Sequence, residues 1–251
     1  MPVDRSEREA YILDLLAKDG SLSVSALSRD LGVSEVTVRS NLRDLEQRGL
    51  LTRTHGGAEP VALLDVLERG RHQASEKEQI AAEAASMVVD GDRIMIEAGT
   101  TTAQVVRHLA NRRGVQIVTN STLVLQYART QPDLTVLLTG GDFHARSESL
   151  VGLVALKTIR DFNVRLAFVG TDGFTSDRGI TTQFAAGAEV ITAMAARAEE
   201  TWLLADSSKY GRAGFVSALE LTALTGIITD SGIGPEAAHA LRTSAPQVRL
   251  V

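Results

Sequence analysis

The chain has 251 residues, of which 44% are apolar, no cysteine, and a formal net charge of -5. That is enough apolar material for a sizeable core, with room for a small domain joined to a larger one. It excludes a disulfide framework, and the acidic balance argues against nonspecific coating of nucleic acid, which needs surplus Lys and Arg. No apolar run approaches the ~18 residues of a membrane span. The first twenty residues mix charged with apolar positions and carry no secretory signal, so the cytoplasm is the expected compartment and no membrane partner is expected.

Residues 5 to 18 place apolar side chains at Ile12, Leu13, Leu15 and Leu16 and predict a first helix that stops at Asp19-Gly20. Ser23 is a cap for a second helix in which Leu27 and Leu31 share a face, and Gly32-Val33 breaks it with a short turn. Ser34 caps a third helix. There Val38, Leu42 and Leu45 recur at i, i+4 and i+7 as a buried stripe, which turns Val36, Arg39, Ser40 and Arg43 outward. After Gly49, Leu50–Gly57 reads as a strand entering a tight turn, with two glycines that permit positive φ.

Two helices, a short turn and a third helix with small, polar and cationic outward residues meet the needs of a helix that enters the major groove. The candidate DNA contacts are Ser34, Thr37, Arg39, Ser40 and Arg43, with Arg53 and His55 of the following turn reaching phosphate or minor groove. Placement carries this reading, because Met1–Ala58 holds 8 Lys and Arg against 9 Asp and Glu. Periodicity alone fits a three-helix bundle with a hairpin equally well.

Glu59 to Ser75, with Pro60 and weak periodicity, is the expected connection, followed by a helix over Glu76–Val88. Beyond it, apolar runs of strand length alternate with helical stretches, the pattern of a Rossmann-like parallel α/β sheet. Arg93–Ile96 reads as a strand, Glu97–Thr102 as a loop and Ala103–Leu109 as a helix, and a loop entering a helix N-terminus can cradle phosphate. Other strand ends carry Thr119-Asn120-Ser121, Thr139-Gly140-Gly141, Gly170-Thr171-Asp172-Gly173 and Asp206-Ser207-Ser208-Lys209. In a parallel sheet these ends share one edge, where ligands of open α/β sheets bind. The candidate effector-binding residues are Glu97, Gly99, Thr100, Thr101, Thr119, Asn120, Gly140, Gly141, Asp172 and Lys209. Taken singly, Asp206 and Lys209 also fit a surface ion pair, and Asp172 an ordinary turn residue.

The five histidines, His55, His72, His108, His144 and His239, lack ligand spacing, so no metal and no cofactor is expected. A winged helix has no use in an enzyme, yet the residue types also admit a sugar-phosphate isomerase with Glu97 or Asp172 moving a proton and Lys209 steadying charge. Paired half-sites favour a homodimer or homotetramer.

Leu27-Ser28-Arg29-Asp30-Leu31-Gly32-Val33-Ser34, Thr37-Val38-Arg39, Leu42-Arg43-Asp44-Leu45-Glu46 and Arg53–Ala58 resemble the N-terminal signature of the DeoR family of sugar-responsive transcriptional regulators. The resemblance continues through Glu97–Thr101, Val118–Ser121, Gly140-Gly141, Gly170–Gly173, Gly179–Thr182 and Asp206–Lys209. It implies a winged helix-turn-helix over 1–58, a linker over 59–75 and, over 76–251, an effector domain similar in fold to ribose-5-phosphate isomerase. It further implies a repressor of sugar or polyol catabolic genes that binds double-stranded operator DNA and a phosphorylated sugar or polyol, and no enzyme. The sequence departs from the family pattern in Ser40-Asn41 before Leu42, where a basic residue and Asp are common, and in Glu97, where Asp is common.

Overall fold

The computed structural model describes residues 4–19, 21–48, 50–60 and 62–251. Gly20 and Gly49, read above as a helix stop and a boundary, lie outside them. The chain divides into two compact units, Met1–Arg69 and Gly70–Val251.

The first unit contains α1 (Arg5–Asp19), β1 (Leu22–Ser23), α2 (Val24–Leu31), α3 (Glu35–Gln47), β2 (Leu51–Arg53) and β3 (Gly57–Pro60). Ser23 and Ser34 cap α2 and α3 by accepting the amides of Ala26 and Thr37. Gly32 ends α2 in the left-handed region at φ 63°, a conformation that needs no Cβ. Val38, Leu42 and Leu45 pack with Ile12, Leu16, Val24, Leu27, Leu51 and Ala58 in one core. Leu42→Ala should cost about 3 kcal/mol by leaving a cavity there, read as a loss of the first unit's cooperative melting at lower denaturant.

The wing differs from its sequence reading. β1, β3 and β2 form a three-stranded antiparallel sheet with β3 in the middle. Among the described residues Gly56 and Gly57 are absent from the positive-φ glycines. Gly57 is required for closeness instead, since a Cβ there would overlap the Leu22 carbonyl. The expected connection over 59–75 is largely regular structure. Glu59 and Pro60 finish β3, and α4 (Ala62–Arg71) follows, consistent with apolar residues recurring at Leu63, Val66 and Leu67.

The second unit begins with α5 (Ala74–Ser86) and continues through β4 (Arg93–Ile96), β5 (Val115–Thr119), α6 (Thr122–Ala128), β6 (Leu134–Leu138), β7 (Asp142–His144) and β8 (Ser149–Val151). It then runs through α7 (Gly152–Arg160), β9 (Val164–Val169), β10 (Gly173–Thr175), β11 (Gly179–Thr182), α8 (Ala185–Ala195) and β12 (Ala198–Leu204). β13 (Val216–Leu219), β14 (Gly226–Thr229), α9 (Pro235–Ser244) and β15 (Val248–Leu250) complete it. Seven strands form a parallel sheet in the order β15-β14-β12-β9-β4-β5-β6. Met95, Val118 and Ala167 pack beneath Leu156 and Ile159 of α7 and Val190 and Met194 of α8. Ile94 and Ile96, alternating with Met95, are buried on the opposite face. The strand order reverses direction between β4 and β9, the place where open parallel sheets leave a crevice. β7 and β8 form a separate hairpin, and β10, β11 and β13 a small antiparallel sheet.

The helix expected over Ala103–Leu109 is a 3-10 helix, Thr102–His108. Thr102, Val105 and Val106 are β-branched and fully buried there, and their stiff side chains disfavour an α-helical turn.

Candidate functional site

In the first unit the outward face of α3 carries Val36, Arg39, Ser40 and Arg43, all exposed. Ser34 and Thr37 share a hydroxyl hydrogen bond of 2.9 Å at its N-terminus. Arg39 reaches back one turn to Glu35 at 2.7 Å, and Arg53 pairs with Glu46 at 2.6 Å while donating its backbone amide to the same carboxylate. Two candidate contacts thus already have acidic partners. Arg43 has no ion pair among the described residues. His55 is exposed in the turn between β2 and β3. Of the departing pair Ser40-Asn41, only Ser40 faces outward. Asn41 is buried and accepts from Arg8 Nε.

In the second unit, every candidate effector residue lies just beyond, or at the last residue of, the carboxyl end of β4, β5, β6, β9 or β12, which the parallel pairing brings to one edge. Glu97 follows β4 directly. Its side chain is 7% exposed, and Oε2 accepts the Gly170 amide from the end of β9 at 3.1 Å. Burial, with some repulsion from Asp172, pushes its carboxyl up to about 8, against the ordinary 4.5. At neutral pH Glu97 is therefore largely uncharged, a buried carboxylic acid beside a loop of partly exposed Gly99 and Thr100.

Several of the other candidates also have partners within the protein. Asn120 is 1% exposed, and its amide is used at both ends: Oδ1 accepts from Ala98 N at 3.0 Å and Nδ2 donates to Leu150 O at 3.2 Å. Thr119 donates to Ile96 O and accepts from Ser121 N. Both hold the loops in place with their side chains. Thr101 is buried, and its neighbour Thr102 donates to Glu97 O at 2.7 Å, closing the turn. Gly140 and Gly141 both take positive φ where the chain leaves β6 for the β7–β8 hairpin. Asp172 accepts the Gln183 amide at 2.8 Å. Lys209 follows Asp206, which caps its own turn through the Ser208 amide, and no ion pair holds the Lys209 ammonium among the described residues. The surface pair of Asp206 with Lys209 is thus not formed.

Sequence reading missed two contributors. Gly170 supplies the amide to Glu97, and a Cβ there would crowd Glu97 Oε2 at 3.2 Å. The β7–β8 hairpin lies against the same loops, with Leu150 N donating to Asn120 O at 2.7 Å. The glycine at the end of an apolar run was a visible signal for the first. The hairpin, held by pairing to residues thirty positions away, left none.

Residues 8–62 match the DeoR-like helix-turn-helix domain and residues 72–231 the DeoR C terminal sensor domain. The chain belongs to the DeoR family. It is a DNA-binding transcriptional regulator with a sensor domain, and its relatives are regulators and not enzymes. It is 33% identical to the HTH-type transcriptional regulator GlpR of Haloferax volcanii, over 97% of this chain and 96% of that one. It is 34% identical to the lactose phosphotransferase system repressor of Lactococcus lactis subsp. lactis, over 93% and 94% of the two chains. Among solved structures it aligns with ribose 5-phosphate isomerase from Plasmodium falciparum at 17% identity and a TM-score of 0.38, covering 53% of this chain and 52% of that one. That overlap is partial and says nothing about activity. No helix among the described residues is long and apolar enough to cross a membrane.

Proposed function

We propose that this DeoR-family regulator is a repressor of sugar or polyol catabolic genes, released from or tightened on its operator when a phosphorylated sugar or polyol binds at the carboxyl edge of the large sheet. The observation that carries the reading is the meeting of five strand ends at one edge, with Glu97 uncharged beside the Gly99–Thr101 loop and the Lys209 ammonium unpaired. Backbone amides of the Gly99–Thr101 loop and the Lys209 ammonium suit a phosphate, while Asp172 and Glu97 suit hydroxyl groups. Asn120 and Thr119 act by holding the loops. The family relatives named as repressors, one of them of a lactose phosphotransferase system, agree with a sugar-linked role.

The DNA-binding part is residues 1–58 with the end of β3, and the effector part residues 76–251. The regulator works in the cytoplasm as a homodimer or homotetramer, so that two copies of α3 read two half-sites of double-stranded DNA. An effector shifts operator affinity only by its difference in affinity between the DNA-competent and incompetent states.

Two variants test the halves separately. Arg43→Ala should weaken operator binding roughly tenfold and flatten the salt dependence by about one counterion, with thermal melting unchanged. Lys209→Ala should leave operator binding in the absence of effector unchanged and weaken the response to a sugar phosphate by about tenfold or more. An unaltered salt slope in the first, or an unaltered response in the second, would remove that residue from the account.

A further inference from the structure

Val36 is 75% exposed, at the second position of α3. It is by far the most exposed large apolar side chain among the described residues of the first unit, the other being Tyr11 at 41%. A lone exposed valine on an ordinary surface asks for no explanation. This one sits on the face formed with Arg39, Ser40 and Arg43, three, four and seven residues further on. The buried stripe of Val38, Leu42 and Leu45 fixes which way that face points. Its neighbours are the Ser34–Thr37 hydroxyl pair and Arg39, whose guanidinium is drawn back over the first turn by Glu35. An apolar side chain is thus set among polar groups at the end of the helix that comes nearest the base edges.

The major groove presents one apolar group, the C5-methyl of thymine. A β-branched side chain is suited to it, because a valine in a helix holds essentially one rotamer and loses little freedom on contact. We infer that Val36 is a specificity-determining residue of this regulator, packing its methyl groups on a thymine methyl at one position of each half-site. Arg39 and Arg43 hold the helix in register beside it, and the small Ser40 lets the backbone come close. The inference rests on the operator-binding reading above.

The test uses the full chain and a duplex selected by the protein from a random-sequence pool. Each thymine is replaced in turn by deoxyuridine, which removes only the methyl. One thymine per half-site should cost wild-type protein about fourfold in affinity, the effect of withdrawing one buried methyl contact. Val36→Ala should bind thymine and uracil equally at that position while keeping any sensitivity elsewhere, and Val36→Ser should do the same. Both variants should melt with the wild type, since Val36 is 75% exposed and lies outside the core. Selected DNA whose affinity is indifferent to every thymine methyl, or a Val36→Ala protein that still discriminates at the same position, would overturn the assignment and leave the operator-binding reading standing. Failure of the wild type to select any sequence would overturn both.

Discussion

Gly57→Ala is expected to abolish operator binding, by a hundredfold or more on the order of the roughly 3 kcal/mol that a core clash costs. Gly57 begins β3, the middle strand of the wing sheet, and pairs with Ser23 while Ala58 pairs with Leu22. A Cβ there would overlap the Leu22 carbonyl group and crowd Ser23 Cα at 3.1 Å. Backbone has no flexible end to move aside. The alanine variant must therefore part β1 from β3, and Ser23 also supplies the N-cap of α2. Loss of that cap loosens the helix that supports α3, so damage in the wing spreads to the recognition face. Arg53 and His55, the proposed DNA contacts on the β2–β3 turn that the Thr54 amide closes on Gly57 O at 3.0 Å, should be displaced as well. Gel-shift titration and the melting of the first unit should fail together. A Gly57→Ala protein with normal affinity would mean that the wing is not a DNA contact. Gly56→Ala is the control, since a Cβ there meets open space.

The second large effect concerns Glu97 and pH. Its carboxyl ionises near 8 in the folded chain and near 4.5 when exposed. Folding thus takes up a proton at this site between those values. The group's contribution to stability is full below pH 4.5 and is lost as pH rises through about 8. Ligand binding should follow the same titration. Below pH 8 an uncharged acid accepts an anionic neighbour. Above it a carboxylate stands beside the loop that receives the phosphate, and affinity for a sugar phosphate should fall by up to about tenfold per pH unit. Glu97→Gln keeps the acceptor for the Gly170 amide and fixes the uncharged state. Its stability should be flat where the wild type declines, and its effector affinity should hold above pH 8. Calorimetry of both proteins across pH 6 to 10 would read this, and an identical decline in Glu97→Gln would place the titrating group elsewhere.

What could be read from sequence was what local chemistry decides. Ser23, Ser34 and Gly32 announce helix ends through bonds to residues three or four positions away, and the Val38–Leu42–Leu45 stripe is a property of one helix. The parallel sheet was legible because its strands carry continuous apolar runs buried on both faces, such as Leu166–Val169. Several features that were not foreseen depend on distant partners. β1 is two residues long and exists only by pairing with β3. The two glycines of the wing suggested a turn needing positive φ, when only one matters and for close approach. Asn120 and Thr119 were chosen as polar residues at a strand end, and their bonds to Ala98 and Leu150 for Asn120 and to Ile96 for Thr119 depend on segments more than twenty residues away. The edge was legible, but the division between groups that hold the crevice and groups that face it was not.

The decisive experiment titrates the full-length protein onto DNA from upstream of its own gene, at fixed salt, with and without a panel of sugar and polyol phosphates and their unphosphorylated counterparts. Binding should be sequence-selective and should change by about tenfold or more with one phosphorylated compound, its unphosphorylated form leaving it unaltered. Binding that is identical in the presence of every compound would mean that no phosphorylated sugar or polyol of the panel acts through this protein.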